Sequence, residues 1–404
     1  MPYAEQVAAK QAGLEELLPS VPRWRSPQQS APTRFRTTVK LVAGGSVQRP
    51  KLGIAGRDFA GIDLSRCPIV DERIEAALPA VKQTISRAGL VPYSVPRRRG
   101  ELKNVLVTVS ERGELMIRFV LRSTARLDAL RAALSALLTA LPQLRVVTAN
   151  LLPTHVALPT GEEEIHLSGA ASLPLPLGDV TLWAHPGAFL QTNTAVAAAL
   201  YRRAGAWLAE QRPQHVVDLF CGMGGFALHA AAAIQRASLP PEVDDVPVAA
   251  PTARPDSAPA TTGTGAKKGA APGNVGQDKV KRGPGIEVVG MDVSAPSIAS
   301  ARRAAKQAGL AARFEVADLT RLVDLEVPAG AAVIVNPPRR GVGELMTRWL
   351  EDCAATTLVY SSCNPESLAT DLARLPSWKP VEGQLFDMFP HTTHCEVAVL
   401  LRRI

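Results

Sequence analysis

Residues 332–341 are AVIVNPPRRG, and residues 358–368 are LVYSSCNPESL. Each stretch begins with a short apolar run and ends in polar or reactive side chains. Uninterrupted apolar runs of this length are typical of strands buried in a parallel sheet. Open α/β sheets place their sites at the carboxyl edge, so we expect Asn336, Arg339 and Cys363 to lie together at that edge.

Cys363 is the candidate nucleophile. A helix is predicted from Glu366 to Arg374, because Pro376 must end it. The positive end of the helix dipole would favour the thiolate of a cysteine near the helix start. An inert buried thiol is the alternative, and on position alone it is the favoured one.

A glycine-rich turn forms the second candidate site. Residues 216–225, VVDLFCGMGG, predict a strand, a tight turn and the start of a helix. The next predicted strand, 288–292, ends in Asp292, which can bind a ribose diol. Asp292 alone would also fit a nicotinamide dinucleotide. The turn lacks the GxGxxG spacing of dinucleotide sites, however, so the pattern favours S-adenosylmethionine.

Composition limits the class of protein. The chain has 404 residues, enough for two or three domains, and a net charge of +8, which suits a polyanionic partner. No apolar run has the length of a membrane span, and the first 20 residues lack a signal-peptide pattern. Five scattered cysteines argue against a disulfide framework. We expect a soluble, cytoplasmic protein with reduced thiols and no membrane partner.

Five motifs carry a resemblance to a known family. They are FLQTN (189–193), DLFCGMGGF (218–226), NPPRRG (336–341), SSCNP (361–365) and LFDMFPHTTHCE (385–396). Together they resemble the RNA (uracil-C5)-methyltransferase family, and within it the enzymes of 23S ribosomal RNA. The resemblance implies an α/β protein, with a Rossmann-like class I S-adenosylmethionine-dependent methyltransferase domain and an N-terminal mixed α/β RNA-binding domain.

The resemblance also implies roles for individual residues. Cys363 would be the nucleophile that forms a covalent adduct with uracil, and Glu396 the base. The residues expected to bind S-adenosylmethionine are Gln191, Asp218, Phe220, Gly222, Gly224, Asp292, Asp318 and Asn336. Asp318 has an alternative role as a cap of the next turn, and Asn336 an alternative as a contact of the uracil edge.

RNA contacts are the least specific part of the prediction. Arg339 and His391 are candidates at the site, although a structural salt bridge or a structural histidine would explain them as well. His394 could likewise contact RNA or be a structural histidine, and either histidine could instead orient Glu396. Arg97, Arg98 and Arg99 form a basic loop that we expect to meet the RNA backbone, with solvated surface charge as the alternative.

The resemblance divides the chain into three parts. Residues 1–21 would form a helix packed on the catalytic domain, 22–179 a central RNA-binding α/β domain, and 180–404 the catalytic domain. We expect the protein to be a monomer. An insertion at about 237–285 is rich in Pro, Ala, Gly, Ser and Thr, and its composition predicts disorder. It joins a helix to a strand, so it leaves the sheet at the edge opposite the site.

Cys67 raises the question of an iron–sulfur cluster. Some similar proteins hold one on four cysteines, and Cys67 before Pro68 matches the fourth. The other three are absent from this sequence, and one thiolate cannot hold such a cluster. We therefore expect no cluster in this chain, and a translation start further upstream. A small buried hydrophobic residue is the alternative role for Cys67.

Other functions remain open at this point. An Asn-Pro-Pro motif also occurs in methyltransferases that act on adenine or glutamine amino groups, although an aromatic residue usually follows where this chain has Arg339. A non-catalytic RNA-binding protein would not need Cys363 and Glu396 together. A member of the same family that acts on tRNA is a further alternative, and a nicotinamide enzyme is a distant one.

Overall fold

The computed structural model describes residues 1–56, 61–238, 286–319 and 325–404, and these form helices and strands organised around two large sheets. The helices are α1 Tyr3–Leu17, α2 Glu72–Arg87, α3 Leu127–Ala140, α4 Thr194–Gln211, α5 Gly225–Ala237, α6 Ala295–Ala308, α7 Gly343–Asp352 and α8 Pro365–Leu372. The strands are β1 Trp24–Gln28, β2 Thr38–Gly45, β3 Pro50–Ile54, β4 Ile62–Asp63, β5 Leu102–Val109, β6 Leu115–Leu121, β7 Leu144–Leu151, β8 Glu163–Gly169, β9 Leu173–Leu177, β10 Val180–Ala184, β11 His215–Leu219, β12 Glu287–Asp292, β13 Ala312–Val316, β14 Ala332–Val335, β15 Thr357–Ser362, β16 Trp378–Phe386 and β17 Glu396–Arg403. From residue 239 onwards, the predicted insertion lies outside the described residues.

The larger sheet has the order β1-β16-β17-β15-β14-β11-β12-β13 within the described residues. Its pairs are parallel except where β17 runs antiparallel to β15 and β16. The two apolar runs that we predicted as buried strands are β14 and β15, and every residue of both is buried. The predicted α/β fold with a parallel sheet core is therefore confirmed.

The reversed strand β17 matters for the site. Because β17 runs against its neighbours, its first residue, Glu396, lies at the carboxyl edge of β14 and β15. The register pairs Ser362 of β15 with Val397 of β17. The next positions along the ladder, Cys363 and Glu396, consequently face each other across the two strands.

The smaller sheet has the order β4-β3-β2-β5-β6-β7-β8 among the described residues. Its strands are antiparallel except for the β6–β7 pair, which α3 connects. One face of β2, β5, β6 and β7 packs against α2 and α3 in an apolar core. The alternate residues point to the opposite face, where Met116 and Val146 join the core beside the larger sheet. Elsewhere this opposite face carries polar side chains such as Lys40, Asn104 and Arg118.

The N-terminal segment packs on the larger sheet. Val7 and Leu14 of α1 belong to an apolar cluster with residues of β14, β15 and β17. Lys10 of α1 forms an ion pair at 2.6 Å with Asp387, whose side chain is fully buried. The domain boundaries at residues 22 and 180 stay predictions. In space, β1, which the sequence groups with the central domain, pairs with β16 of the larger sheet.

None of the helices formed by the described residues is both long enough and apolar enough to span a bilayer.

Candidate active site

The glycine-rich turn between β11 and α5 is held in an unusual backbone conformation. Phe220, Gly222 and Gly224 have φ angles of +65°, +54° and +84°. A Cβ atom added at Gly224 would lie 2.9 Å from the ring of Phe314, so only glycine fits there. A Cβ added at Gly222 meets no atom within 4 Å. The turn therefore packs tightly on one side and leaves open space on the other.

Two aspartates support this turn from neighbouring strands. Asp218 is fully buried, and its Oδ2 accepts a hydrogen bond of 2.9 Å from the backbone N–H of Ala227 in α5. Burial raises the pKa of Asp218 to about 8, and the negative charge of Asp292 acts in the same direction. Asp292 ends β12, where its Oδ2 accepts from the N–H of Gly222 at 3.0 Å and its Oδ1 from the N–H of Ser294 at 2.8 Å.

The open space is a cavity of about 250 Å³. Five of the predicted cofactor residues lie in its wall: Gln191, Phe220, Gly222, Asp292 and Asn336. Asp218 and Gly224 support the turn from beneath and do not line the cavity. Asp318 is exposed and lies two residues after β13, beside residues 320–324, which are outside the described part. Its contact with S-adenosylmethionine stays a prediction.

The cavity fits S-adenosylmethionine by its chemistry. Oδ1 of Asp218 is buried without a hydrogen-bond partner among the described residues. Asp292, which lies in the wall of the cavity, brings negative charge to the side formed by the turn. S-adenosylmethionine carries positive charge on its sulfonium and ammonium groups, which such a wall attracts. The open space over Gly222 lets the ligand approach the backbone closely.

Cys363 lies between the end of β15 and the start of α8, and it is half-buried. The structure corrects the expectation that the helix dipole lowers the pKa of this thiol. Burial raises the pKa of Cys363, and the negative charge of Glu396 raises it further, whereas Arg339 acts to lower it. Burial and the charge of Glu396 therefore both favour the protonated thiol, and a proton taken up by the carboxylate would remove the second effect.

Glu396 is 1% exposed and is held by two donors. Its Oε1 accepts from the hydroxyl of Ser361 at 2.7 Å and from Nδ2 of Asn336 at 3.0 Å. Burial raises the pKa of Glu396 to about 7, while both hydrogen bonds act in the opposite direction because they stabilise the ionised form. Asn336 thus touches the carboxylate while lining the cofactor cavity, which joins the two parts of the site.

The remaining polar residues near the site differ in their surroundings. Arg339 lies 3.1 Å from Nδ1 of His394. His391 has Nε2 2.6 Å from the carbonyl oxygen of Pro32, and its backbone N–H donates to Gln6. His391 therefore fastens the N-terminal segment, which is the structural role considered above. The contact of Arg339 or His391 with RNA stays a prediction.

Comparison with known proteins agrees with the resemblance. Residues 296–404 match the family model described as tRNA (Uracil-5-)-methyltransferase. The chain is 41% identical over 406 residues to the 23S rRNA (uracil(747)-C(5))-methyltransferase RlmC of Pectobacterium atrosepticum, across 100% of this chain and 95% of that protein. The corresponding protein of Salmonella arizonae is 38% identical over 404 residues, across 99% of this chain and 94% of that protein.

The chain belongs to the RNA (uracil-C5)-methyltransferase family. This methyltransferase is similar in fold to the Pyrococcus abyssi tRNA (uracil-54, C5)-methyltransferase, solved in complex with S-adenosyl-L-homocysteine. The TM-score is 0.73 at 22% identity, across 99% of this chain and 84% of that chain. The protein is an enzyme, and S-adenosylmethionine is its methyl donor. Family membership excludes three of the alternative functions: a nicotinamide enzyme, a methyltransferase acting on amino groups, and a non-catalytic RNA-binding protein.

Two sequence-predicted features of this methyltransferase lie in the smaller sheet and its loops. Arg97, Arg98 and Arg99 are exposed on the loop before β5. Cys67 packs, partly buried, against the core of the smaller sheet, the surroundings expected of a small hydrophobic residue. In the described ranges, no group of three or more His, Cys, Asp or Glu side chains comes together as a metal site.

Sequence reasoning missed Ser361 as a site residue. It is fully buried, and its hydroxyl holds the predicted base. A signal was present in the motif SSCNP, because alternate residues of a strand share a face. Ser361 and Cys363 are two residues apart, so a hydroxyl at 361 had to lie on the same side as the thiol.

Proposed function

We propose that this enzyme methylates carbon 5 of a uridine in 23S ribosomal RNA, through a covalent adduct between Cys363 and carbon 6 of the uracil. The observation that carries the proposal is the closeness of Glu396 to Cys363, whose thiol it influences by its charge, and its hydrogen bond with Asn336, a residue of the cofactor cavity. Relatives named as 23S rRNA methyltransferases match along the whole chain, which supports this RNA as the substrate.

Addition of the thiol activates the uracil ring. Carbon 5 of uracil is a poor nucleophile, so the ring needs activation before it can accept a methyl group. The Cys363 thiol gives its proton to solvent water, the sulfur forms a bond to carbon 6, and the displaced electron pair moves onto the carbonyl oxygen as an enolate. The positive charge of Arg339, which already acts to lower the pKa of Cys363, favours both thiolate and enolate. S-adenosylmethionine, when bound, supplies an electrophilic methyl group.

Glu396 then completes the reaction as the base. After methylation, carbon 5 carries a proton that must leave before the ring can become aromatic again. Glu396 takes that proton, the carbon 6–sulfur bond breaks, and its electron pair returns to Cys363. A base works best when its pKa lies near the working pH, and the pKa of Glu396 is about 7.

The RNA must present its target base out of the stack to reach this buried pair. We propose that Arg97, Arg98 and Arg99 contact the RNA backbone and that Arg339 contacts the RNA at the site. The exposed arginine loop supports this, because phosphate contacts need side chains that are free to move. A tRNA substrate is the second candidate, since the family model that matches residues 296–404 is described as a tRNA enzyme.

The mechanism is tested with two variants and a suicide substrate. Cys363→Ala should abolish methylation and the adduct with 5-fluorouracil RNA, while retaining donor binding. Glu396→Gln should form the adduct and then fail to release it. Cys353→Ala is the control, because Cys353 lies at the end of α7, away from the cavity, and contacts Arg403. Normal turnover by Cys363→Ala would overturn the covalent mechanism.

The RNA target is tested separately. We would map 5-methyluridine by mass spectrometry in 23S ribosomal RNA and in tRNA, from cells with and without the gene. The proposal expects one uridine in 23S ribosomal RNA to lose its methyl group when the gene is deleted. Loss in tRNA alone would establish the second candidate instead.

A further inference from the structure

A second cavity, of about 370 Å³, lies on the open face of the smaller sheet. We call it the β2–β5 cavity. Its floor comes from Lys40 of β2 and from Lys103 and Asn104 of β5. Its rim comes from Tyr93, Val95 and residues 155–158. Residues 39, 41 and 105 of the same strands point to the other face, into the core formed with α2 and α3. The cavity therefore lies on the side of the sheet that these two helices leave open.

Lys103 gives the cavity an uncompensated positive charge. It is 8% exposed, and its ammonium group donates a hydrogen bond of 2.5 Å to the carbonyl oxygen of Thr154. Among the described residues, no carboxylate forms an ion pair with Lys103, and the wall of the cavity contains neither Asp nor Glu. Lys40 adds a second positive charge. A buried cation without a partner anion attracts an anionic ligand.

The rim supplies aromatic and apolar surface. The Lys103 ammonium lies 4.8 Å from the centre of the Tyr93 ring, and Oη of Tyr93 lies 2.9 Å from Nδ1 of His155. Val156 and Leu158 on the rim are 47% and 59% exposed, which is unusual for large apolar side chains. A flat aromatic ligand would cover them. A nucleotide has both properties, because its phosphate is anionic and its base is flat and aromatic.

The neighbouring loop extends this charge. Arg97, Arg98 and Arg99 follow Tyr93 closely on the rim loop, which closes through a bridge between Ser94 and Arg99. All three arginines are exposed, and none forms an ion pair within the described ranges. A polyanion bound along this loop would therefore pass directly over the β2–β5 cavity.

The same sheet face also leads towards the active site. Arg118 of β6 lies on this face, and its charge helps to lower the pKa of His185, after burial, which is the larger cause. Gly187, two residues after His185, lies in the wall of the cofactor cavity. Through Arg118, the charge of this face influences the segment that lines the cofactor cavity.

We propose that the β2–β5 cavity binds an unpaired nucleotide of the RNA substrate, away from the uridine that is methylated. Proteins recognise RNA sequence mainly through unpaired bases that stack on aromatic side chains. The phosphate would lie by Lys40 and Lys103, and the base by His155, Val156 and Leu158. The inference rests on the proposed function only in taking the substrate to be RNA.

The test compares lysine variants of the full chain. Lys103→Met keeps the length of the side chain and removes the charge, and Lys51→Met on β3 is the control, because Lys51 is exposed and outside the cavity. The probe is 23S ribosomal RNA transcribed in vitro. We expect Lys103→Met to raise the Kd for this RNA about tenfold or more. The slope of log Kd against the logarithm of the salt concentration should fall by about one, as expected for the loss of one phosphate contact.

Two further measurements distinguish a loss of RNA binding at the cavity from a defect in folding or in catalysis. His155→Ala changes an exposed residue and should also raise the Kd for RNA, while the kcat at saturating RNA and the Kd for the methyl donor stay at wild-type values. A transcript containing 4-thiouridine should cross-link, under ultraviolet light, to peptides that contain Tyr93 or His155.

Three outcomes would overturn the inference. They are an unchanged Kd for RNA in both cavity variants, cross-links confined to other parts of the chain, or saturable binding of an acidic peptide to the cavity without any effect on RNA. Because binding is measured without turnover, a failure of the covalent mechanism would leave the result intact. A parallel titration with a tRNA transcript shows whether a negative result comes from the choice of RNA.

Discussion

Removing the hydroxyl of Ser361 should shift the pH dependence of catalysis. Ser361 donates a hydrogen bond of 2.7 Å to Oε1 of Glu396 in a fully buried setting. That bond stabilises the ionised carboxylate and acts to lower the pKa of Glu396, which burial has raised to about 7. Ser361→Ala removes the donor, so the pKa of Glu396 should rise further.

The size of the shift follows from the strength of such a bond. A hydrogen bond to a charged group contributes about 1.5–3 kcal/mol, and 1.36 kcal/mol corresponds to about one pKa unit. Part of the bond survives when the carboxyl is protonated, so we expect a rise of about one unit. At pH 7 the ionised fraction would fall from about one half to about one tenth, which slows the base-dependent step about fivefold.

The assay is a single-turnover measurement across the pH range. Enzyme in excess over RNA is mixed with S-adenosylmethionine between pH 5.5 and 9.5, and the rate of release of methylated RNA is recorded. The acid limb of the profile should move up by about one unit in Ser361→Ala. At pH 9.5 the wild-type and variant rates should converge, because Glu396 is ionised in both.

Ser362→Ala is the matched control, since Ser362 is equally buried in the same strand but its hydroxyl contacts the backbone of Asn364. Its acid limb should stay at the wild-type position. Ser361→Thr, which keeps a hydroxyl, should restore most of the profile. A Ser361→Ala enzyme whose rate falls by the same factor at every pH would refute the reasoning, because that result indicates a change of geometry and not of pKa.

Three further predictions concern stability. Glu396→Gln should stabilise the protein by about 3 kcal/mol above pH 7. The pKa of a glutamate is 4.5 when it is exposed and about 7 for the buried Glu396, so the wild-type protein loses stability as the pH rises between these values. Lys10→Met should destabilise the fold by about 3–5 kcal/mol, because it leaves the buried carboxylate of Asp387 with the Tyr3 hydroxyl as a donor but without its charged partner. Gly224→Ala should cost about 1–3 kcal/mol more than Gly309→Ala, since both have positive φ but only the former forces a methyl group against an aromatic ring.

Urea unfolding measures all three effects. The gain from Glu396→Gln should disappear below pH 4.5, and a gain that is independent of pH would contradict the burial argument. Lys82→Met is the control for Lys10→Met, because its pair with Asp63 is more exposed and should be worth under about 1 kcal/mol. Equal losses in the two lysine variants, or in the two glycine variants, would show that burial and packing are not the cause.

Much of the fold could be predicted because its signals are local. The apolar runs of β14 and β15 and the helix predicted from residue 366 depend on neighbours in sequence, and they appear within a few residues of the predicted bounds. The glycine-rich turn was equally visible, since the positive φ angles at Gly222 and Gly224 favour glycine.

The meeting of the catalytic residues could be predicted only in part. The motifs marked Cys363 and Glu396, but 32 positions separate them, and no local pattern states that β17 runs antiparallel to β15. It is this reversal that carries Glu396 to the edge where the thiol emerges. Strand direction depends on how distant segments share one core, which periodicity does not report.

The sequence by itself determined the strands, the turn and the reactive residue types, because these follow from backbone sterics and side-chain chemistry. Only the tertiary structure decided the electrostatics. Helix position suggested an acidic thiol at Cys363, whereas burial and Glu396 raise its pKa. The burial that raises the pKa of Glu396 to about 7, and the unpaired charge of Lys103, also exist only in the folded chain. Desolvation depends on what surrounds a group in space, and that environment is assembled from segments far apart in the sequence.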